Sequence, residues 1–145
     1  MFSVTISPRV GETDALGHIN NCAIPAWFEH GRTPLFRIFD PNLDFTRETW
    51  RLVMVHSDYD YVNQLFCNSN VEVKTWISRI GGKSFSIGHE AWQGGRLCVK
   101  GGVTLVYYNF ITQMSEPIPT GIREQLERHL IPCCTGAPAP AKPSS

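Results

Sequence analysis

The stretch RVGETDALGHINNCAIPAWFEHGR, residues 9–32, decides how this chain folds. Before it, Phe2 to Val10 reads as an extended, β-like opening. After it, Ala23 to Phe39 carries apolar residues near a 3.6-residue repeat and predicts a helix. Between them lies a polar turn with Asp14, Gly17, His18, Asn20 and Asn21. This order sets a carboxylate beside the unpaired backbone N–H groups that begin a helix. A carboxylate can attack a carbonyl or activate water, and such N–H groups can stabilise an oxyanion. Together they point to acyl-transfer chemistry.

Working outward, Ile24, Trp27, Phe28, Leu35, Ile38 and Phe39 form one apolar stripe on the predicted helix. Asn21 is the expected N-cap, and Pro25 suits the first turn. Pro34 lacks an N–H and is expected to kink the helix, at a cost of roughly 3 kcal/mol unless packing compensates. Asp40-Pro41-Asn42 ends it. Four β-like segments follow: 52–62, 71–80, 83–92 and 96–108. In the first, Val53, Val55, Tyr59 and Tyr61 are expected on one face, with His56, Asp58 and Asp60 on the other. Gly81-Gly82 and Gln93-Gly94-Gly95 read as turns, and Gly101-Gly102 as a bulge or a close backbone contact. A short helix is predicted over 122–130. The fold class is therefore α+β, an antiparallel β-sheet wrapped around one long central helix. Its open sheet edge is of the kind commonly closed by a second copy.

The chain of 145 residues is long enough for one domain, assigned to 1–131, and PCCTGAPAPAKPSS (132–145) reads as a flexible Pro/Ala/Ser-rich tail. Thirteen basic and thirteen acidic side chains cancel, which argues against broad electrostatic capture of nucleic acid or a membrane surface. Five cysteines, an odd number without regular spacing, do not make a disulfide framework. There is no signal-peptide pattern and no apolar run of ~20 residues, so a cytoplasmic location is expected. His18, Cys22 and the Cys133-Cys134 pair fit no standard zinc spacing, and no metal is expected.

The motif resembles that of the 4-hydroxybenzoyl-CoA thioesterase-like branch of the hotdog-fold acyl-CoA thioesterases. That family's pattern is roughly D/E-x-D-x-x-G-H-x-N-N after a strand, then a helix with an aromatic, a Glu and an Arg. Here it reads Glu12 to Asn21, followed by Trp27, Phe28, Glu29 and Arg32, with the family's Gly-Lys-Ser-Phe turn at Gly82 to Phe85. The likeness spans about residues 1–130. Pro25 and Pro34 depart from the pattern and bear on the shape of the acyl pocket.

The resemblance implies a thioesterase that splits an acyl-CoA into free acid and coenzyme A. Asp14 is then the catalytic carboxylate, as base or nucleophile, and backbone N–H groups near Asn21 and Cys22 polarise the thioester carbonyl. It further implies a homodimer or homotetramer and no cofactor beyond the coenzyme A of the substrate. Asp also caps turns, so Asp14 has a structural reading too. His18 is a candidate base that can equally hold the loop by hydrogen bonds. Glu29, a rival carboxylate, lies eight residues past Asn21, about 12 Å along a helix axis. Arg79, Lys83 and Ser84 flank the Gly81-Gly82 turn and are candidates for the coenzyme A phosphates. Trp27, Phe28, His56 and Ser57 are candidates for the acyl pocket. A hydratase or dehydratase of the same fold, and a non-catalytic acyl-CoA binding protein, are the alternatives.

Overall fold

A computed structural model describes residues 1–131, and the tail assigned to 132–145 lies outside the described residues. The chain opens with strand β1 (Phe2–Ile6) and turns through a 3-10 segment at Val10–Glu12. A second 3-10 turn, Asn21–Ala23, leads into helices α1 (Ile24–Gly31) and α2 (Thr33–Phe39). Strands β2 (Leu52–Tyr61), β3 (Val71–Ile80), β4 (Ser84–Gln93) and β5 (Arg96–Asn109) follow. A short β6 (Met114–Ser115) and helix α3 (Thr120–Glu127) close the described chain. The sheet is antiparallel with strand order β1-β3-β4-β5-β2, and β6 pairs with the end of β5.

The long helix expected over 23–39 is two helices. Pro34 cannot donate to the His30 carbonyl, so the chain breaks at Arg32 and starts again with Pro34 in the first turn of α2. Arg32 N–H donates to Phe28 O (3.1 Å) and Glu29 O (3.0 Å), ending α1, while Arg32 O accepts the N–H groups of Leu35 and Phe36. The apolar stripe survives the break. Ile24, Trp27 and Phe28 pack with Val71, Val73 and Val99. Leu35 and Phe39 pack with Ile77, Phe85 and Leu105, joined by Leu126 of α3. Gly31 lets α1 lie close on β3: a Cβ there would stand 2.8 Å from Thr75 Oγ1.

Strand alternation decides which side chains face the helices. In β3, Val71, Val73, Thr75 and Ile77 are buried beneath them, as the sequence pattern predicts. In β2 the expected face is altered by a bulge at Val55, where the register with β5 shifts between Met54 and His56. Val53 pairs with Val106 on the outer face together with His56, Asp58 and Asp60, whereas Tyr59 and Tyr61 pair with Gly101 and Val99 on the inner face. Gly101 has a clear reason to be glycine, since a Cβ there would run into the Asp58 carbonyl oxygen. The turn at Gly94-Gly95 has both glycines at positive φ (60° and 77°), the geometry that joins two strands with the right twist. Gly81 and Gly82 also join a hairpin, but neither has a positive φ.

Among the described residues, β2 pairs with β5 alone and ends the sheet. Along and just after it, Val55 is 58% exposed, Tyr61 48% and Val62 50%.

Candidate active site

The turn that carries Asp14 is a closed loop. Asp14 N–H donates to His18 O (2.8 Å), and Asp14 Oδ1 accepts the N–H groups of Leu16 (2.9 Å) and His18 (3.2 Å). Gly17 sits at φ +80°, a conformation that glycine adopts without strain. The turn-forming reading of Asp14 is thus real, yet it uses one oxygen. Oδ2 enters no hydrogen bond among the described residues, and the side chain is exposed.

The loop is strapped at both ends. Ile19 N–H donates to Leu65 O (2.8 Å), and Asn20 N–H to Glu12 O (2.7 Å). The His18 ring meets Phe66 edge-on at 5.0 Å, which supports the loop-holding reading of this histidine. Glu12 holds the loop to α1, accepting from Trp27 Nε1 (2.9 Å). Burial pushes the Glu12 carboxyl up, but the Trp27 indole, the Arg9 backbone N–H and the Arg9 charge together bring it below its ordinary value.

The helix start differs from expectation by one residue. Asn20, not Asn21, is the cap: its Oδ1 accepts the Cys22 N–H at 2.9 Å. The Cys22 N–H is therefore engaged. The Asn21 N–H donates to no protein group among the described residues, and Asn21 is exposed.

Asp14, His18, Asn20, Asn21 and Gln64 border a polar hollow of about 240 Å³. Next to it a cleft of about 300 Å³ runs between Ile24, Tyr61, Val62, Leu65 and Val99. Ile19, Asn21 and Gln64 line both, so the two spaces meet at the helix start. Tyr61 and Gln64 were not expected here, and no local sequence pattern marks them. They reach the site because β2 and the loop after it lie beside the turn. A larger cavity of about 520 Å³ lies around Trp76, Gly88 and Thr104 on the sheet face away from the helices.

Other candidates lie elsewhere. Trp27 and Phe28 are 4% and 0% exposed and belong to the core; Phe28 is stacked between His89 (4.6 Å) and Tyr59 (5.9 Å). An apolar helical stripe serves core and pocket equally well, so the pattern could not separate the two. His56 and Ser57 pair with Thr104 and Val103, neighbours whose side chains take opposite faces of the sheet, and His56 lies 3.2 Å from Asp58. Arg79, Lys83 and Ser84 do cluster at the β3–β4 turn, where Arg79 donates to Ser84 Oγ at 3.3 Å. That turn is at the far end of the ten-residue β3 from the Asp14 loop, roughly 30 Å along the strand.

Glu29 is exposed and does not pair with Arg32. Arg32, 2% exposed, instead donates to His89 Nε2 (3.1 Å) and lies over the Phe36 ring. Because arginine only donates, His89 carries its proton on Nδ1 and gives it to Thr75 Oγ1 (3.0 Å). Burial and the Arg32 charge lower the His89 pKa to about 3, so the ring is neutral. Burial likewise lowers the Arg32 pKa, against the charges of Glu29 and Tyr59, and Arg32 Nε has no partner among the described residues.

Among the described residues no group of three or more His, Cys, Asp or Glu side chains could hold a metal ion. None of their helices is long and apolar enough to cross a membrane.

The chain is 45% identical to a predicted thioesterase from Bacillus stearothermophilus, with a TM-score of 0.87 over 90% of this chain and 97% of that one. A thioesterase from Thermus thermophilus, solved with coenzyme A and zinc, is 26% identical, with a TM-score of 0.76 over 86% and 96% of the two chains. A thioesterase-superfamily protein from a Jannaschia species, 24% identical, shares the fold with a TM-score of 0.74 over 86% and 80%. The comparison with curated proteins gives no match. The curled antiparallel sheet with its helices is that of the hotdog-fold thioesterases. A model of the thioesterase-like superfamily matches residues 8–126, and the chain belongs to that superfamily.

Proposed function

We propose that the protein is an acyl-CoA thioesterase in which Asp14 is the catalytic carboxylate. The observation that carries this reading is the free Asp14 oxygen, in a polar hollow that shares the exposed Asn21 backbone with an adjoining cleft of mixed polar and apolar lining. The acyl group lies in the cleft, and its carbonyl at the Asn21 N–H. Asp14 attacks that carbon, or takes a proton from the water that does. The C–S bond then breaks, and the thiolate leaves and is protonated; where Asp14 itself attacks, water then hydrolyses the mixed anhydride, releasing the acid and restoring the carboxylate. A thioester is activated enough for one carboxylate and one oxyanion site to suffice.

The working form is a homodimer paired along β2. Two copies related by a two-fold axis pair that strand antiparallel, which brings the Leu52 end of one copy to the Tyr61 end of the other. The Arg79, Lys83 and Ser84 hairpin of one copy then stands near the Asp14 loop of the other, within reach of a bound coenzyme A. This accounts for a phosphate-binding candidate so far from the carboxylate of its own chain. The exposed Val55, Tyr61 and Val62 give the pairing an apolar surface to bury. The free thiols of Cys22, Cys67 and Cys98 suit a reducing, cytoplasmic setting. His56 and Ser57 enter the acyl site only through such a dimer.

Free-thiol release from a panel of aromatic, short-chain and long-chain acyl-CoAs tests the reading. Turnover of at least one class is expected, from a species that sediments as a dimer or tetramer. Tight acyl-CoA binding without thiol release would favour the binding-protein alternative.

A further inference from the structure

We propose that Gln64 is the second hydrogen-bond donor to the acyl carbonyl, completing with the Asn21 N–H the site that holds the developing oxyanion. This rests on the thioesterase reading and names a residue that the motif does not contain. The argument begins with a missing donor. The Cys22 N–H, the natural second donor at the helix start, is engaged by Asn20 Oδ1 at 2.9 Å. A carbonyl that joins an acyl group in the cleft, along Ile24, Leu65 and Val99, to a carboxylate in the polar hollow must sit where the two spaces meet. Three residues line both: Ile19, Asn21 and Gln64. Ile19 has an apolar side chain, and its N–H already goes to Leu65 O. Asn21 supplies its backbone from the helix start, and the Gln64 amide is the side-chain donor that the loop after β2 brings to the same junction. Tyr61 borders the cleft but not the hollow.

The loop around Gln64 is held as a donor platform requires. The N–H groups of Val62 and Asn63 both donate to Cys98 O (2.8 and 3.0 Å). Both ends of the Asn63 side chain are engaged, the amide giving to Leu97 O (2.8 Å) and the oxygen accepting from Arg96 (2.6 Å). On the other side, Leu65 O accepts from Ile19, and Phe66 exchanges hydrogen bonds with the Gln93 amide (2.9 and 2.7 Å). Between these anchors the exposed Gln64 side chain enters no hydrogen bond among the described residues. With the backbone pinned, only the Gln64 side-chain rotamer has to be ordered when the substrate carbonyl arrives.

The test compares kcat and KM for thiol release by the full chain and by Gln64→Met, Gln64→Glu and Gln64→Asn. Gln64 is exposed, so each variant is expected to keep its melting temperature within a few degrees. Gln64→Met should lower kcat by ~100-fold or more and leave KM within about threefold. Gln64→Glu should lose at least as much, because its carboxylate repels the oxyanion. Gln64→Asn, which keeps the amide on a shorter arm, should fall between Met and the parent. Gln64→Met with kcat near that of the parent overturns the proposal. So does a Gln64→Glu that outperforms Gln64→Met, since this is what an acceptor for the attacking water would give. If the parent itself releases no thiol from any acyl-CoA, the thioesterase reading falls too, and that result is seen before any variant is compared.

Discussion

The two ends of α1 each carry a polar cluster, and the clusters use their hydrogen bonds in opposite ways. At the start, Asp14, Asn21 and Gln64 lie in the open and keep capacity in reserve: one carboxylate oxygen, one backbone N–H and one amide. At the end, Arg32, His89 and Thr75 are 2%, 1% and 1% exposed, and each is bonded to the next. The first cluster can take a ligand without breaking anything already made. The second cannot be reached, and it fixes α1 on β3 and β4. A ring stack joins them: His89, Phe28, Tyr59 and Tyr61 lie nearly parallel, from the sealed cluster to the wall of the cleft. Unused capacity that solvent and ligand can reach, not polarity, separates the reactive end from the structural one, where Arg32 Nε, without a partner among the described residues, is buried.

Substitutions should separate the two ends by what they damage. Gly31→Ala strikes the sealed end, because its Cβ would stand 2.8 Å from Thr75 Oγ1 and 3.1 Å from Val73 Cγ1. Overpacking of this kind costs about 1–3 kcal/mol, read as a lower urea midpoint, while kcat per folded molecule stays near that of the parent. A large loss of kcat with normal stability would join the two ends functionally.

His89→Gln sharpens the comparison through pH. The folded ring has its pKa lowered to about 3 from an ordinary 6.5, so the unfolded chain takes up the proton first. This contribution to stability is full above about pH 6.5 and drains as pH falls toward 3, at up to ~1.4 kcal/mol per pH unit. Gln cannot titrate, and urea midpoints measured from pH 7 to 4 should fall less steeply in the variant. Equal slopes would remove His89 as the source.

Asn20→Ala is the mildest change. It takes away the acceptor for the Cys22 N–H and should cost about 1 kcal/mol, measured as a small drop in melting temperature. No change at all would mean that the cap is dispensable.

Where the signal was local, the sequence could be read. The inner face of β3 follows from alternation between Val71 and Ile77, before the register shifts at Ser78, and the Asp14 loop follows from a motif whose residues bond each other. Signals that depend on a partner strand could not be read. The Val55 bulge moves Val53 to the outer face, and nothing in the order of residues in β2 announces it. Pro34 announces trouble in the helix, but the order of residues does not say whether it kinks or breaks; the chain breaks, with Arg32 capping both helices. Tyr61 and Gln64 come from a part of the chain with no motif, and only the strand order brings them beside Asn21. Trp27 and Phe28 follow the motif and lie on the apolar stripe, a pattern common to core and pocket, and the structure buries both against β3, β4 and β5.

The most direct test is the rate of free-thiol release by Asp14→Asn, measured beside binding of a non-hydrolysable acyl-CoA analogue. Asn keeps the Oδ1 acceptor for the Leu16 and His18 N–H groups and so keeps the loop, but it can neither attack nor take a proton. Analogue affinity close to that of the parent, with kcat lowered by ~100-fold or more, is the predicted result. Undiminished turnover in Asp14→Asn would contradict the account and move the chemistry to Glu29 or His18.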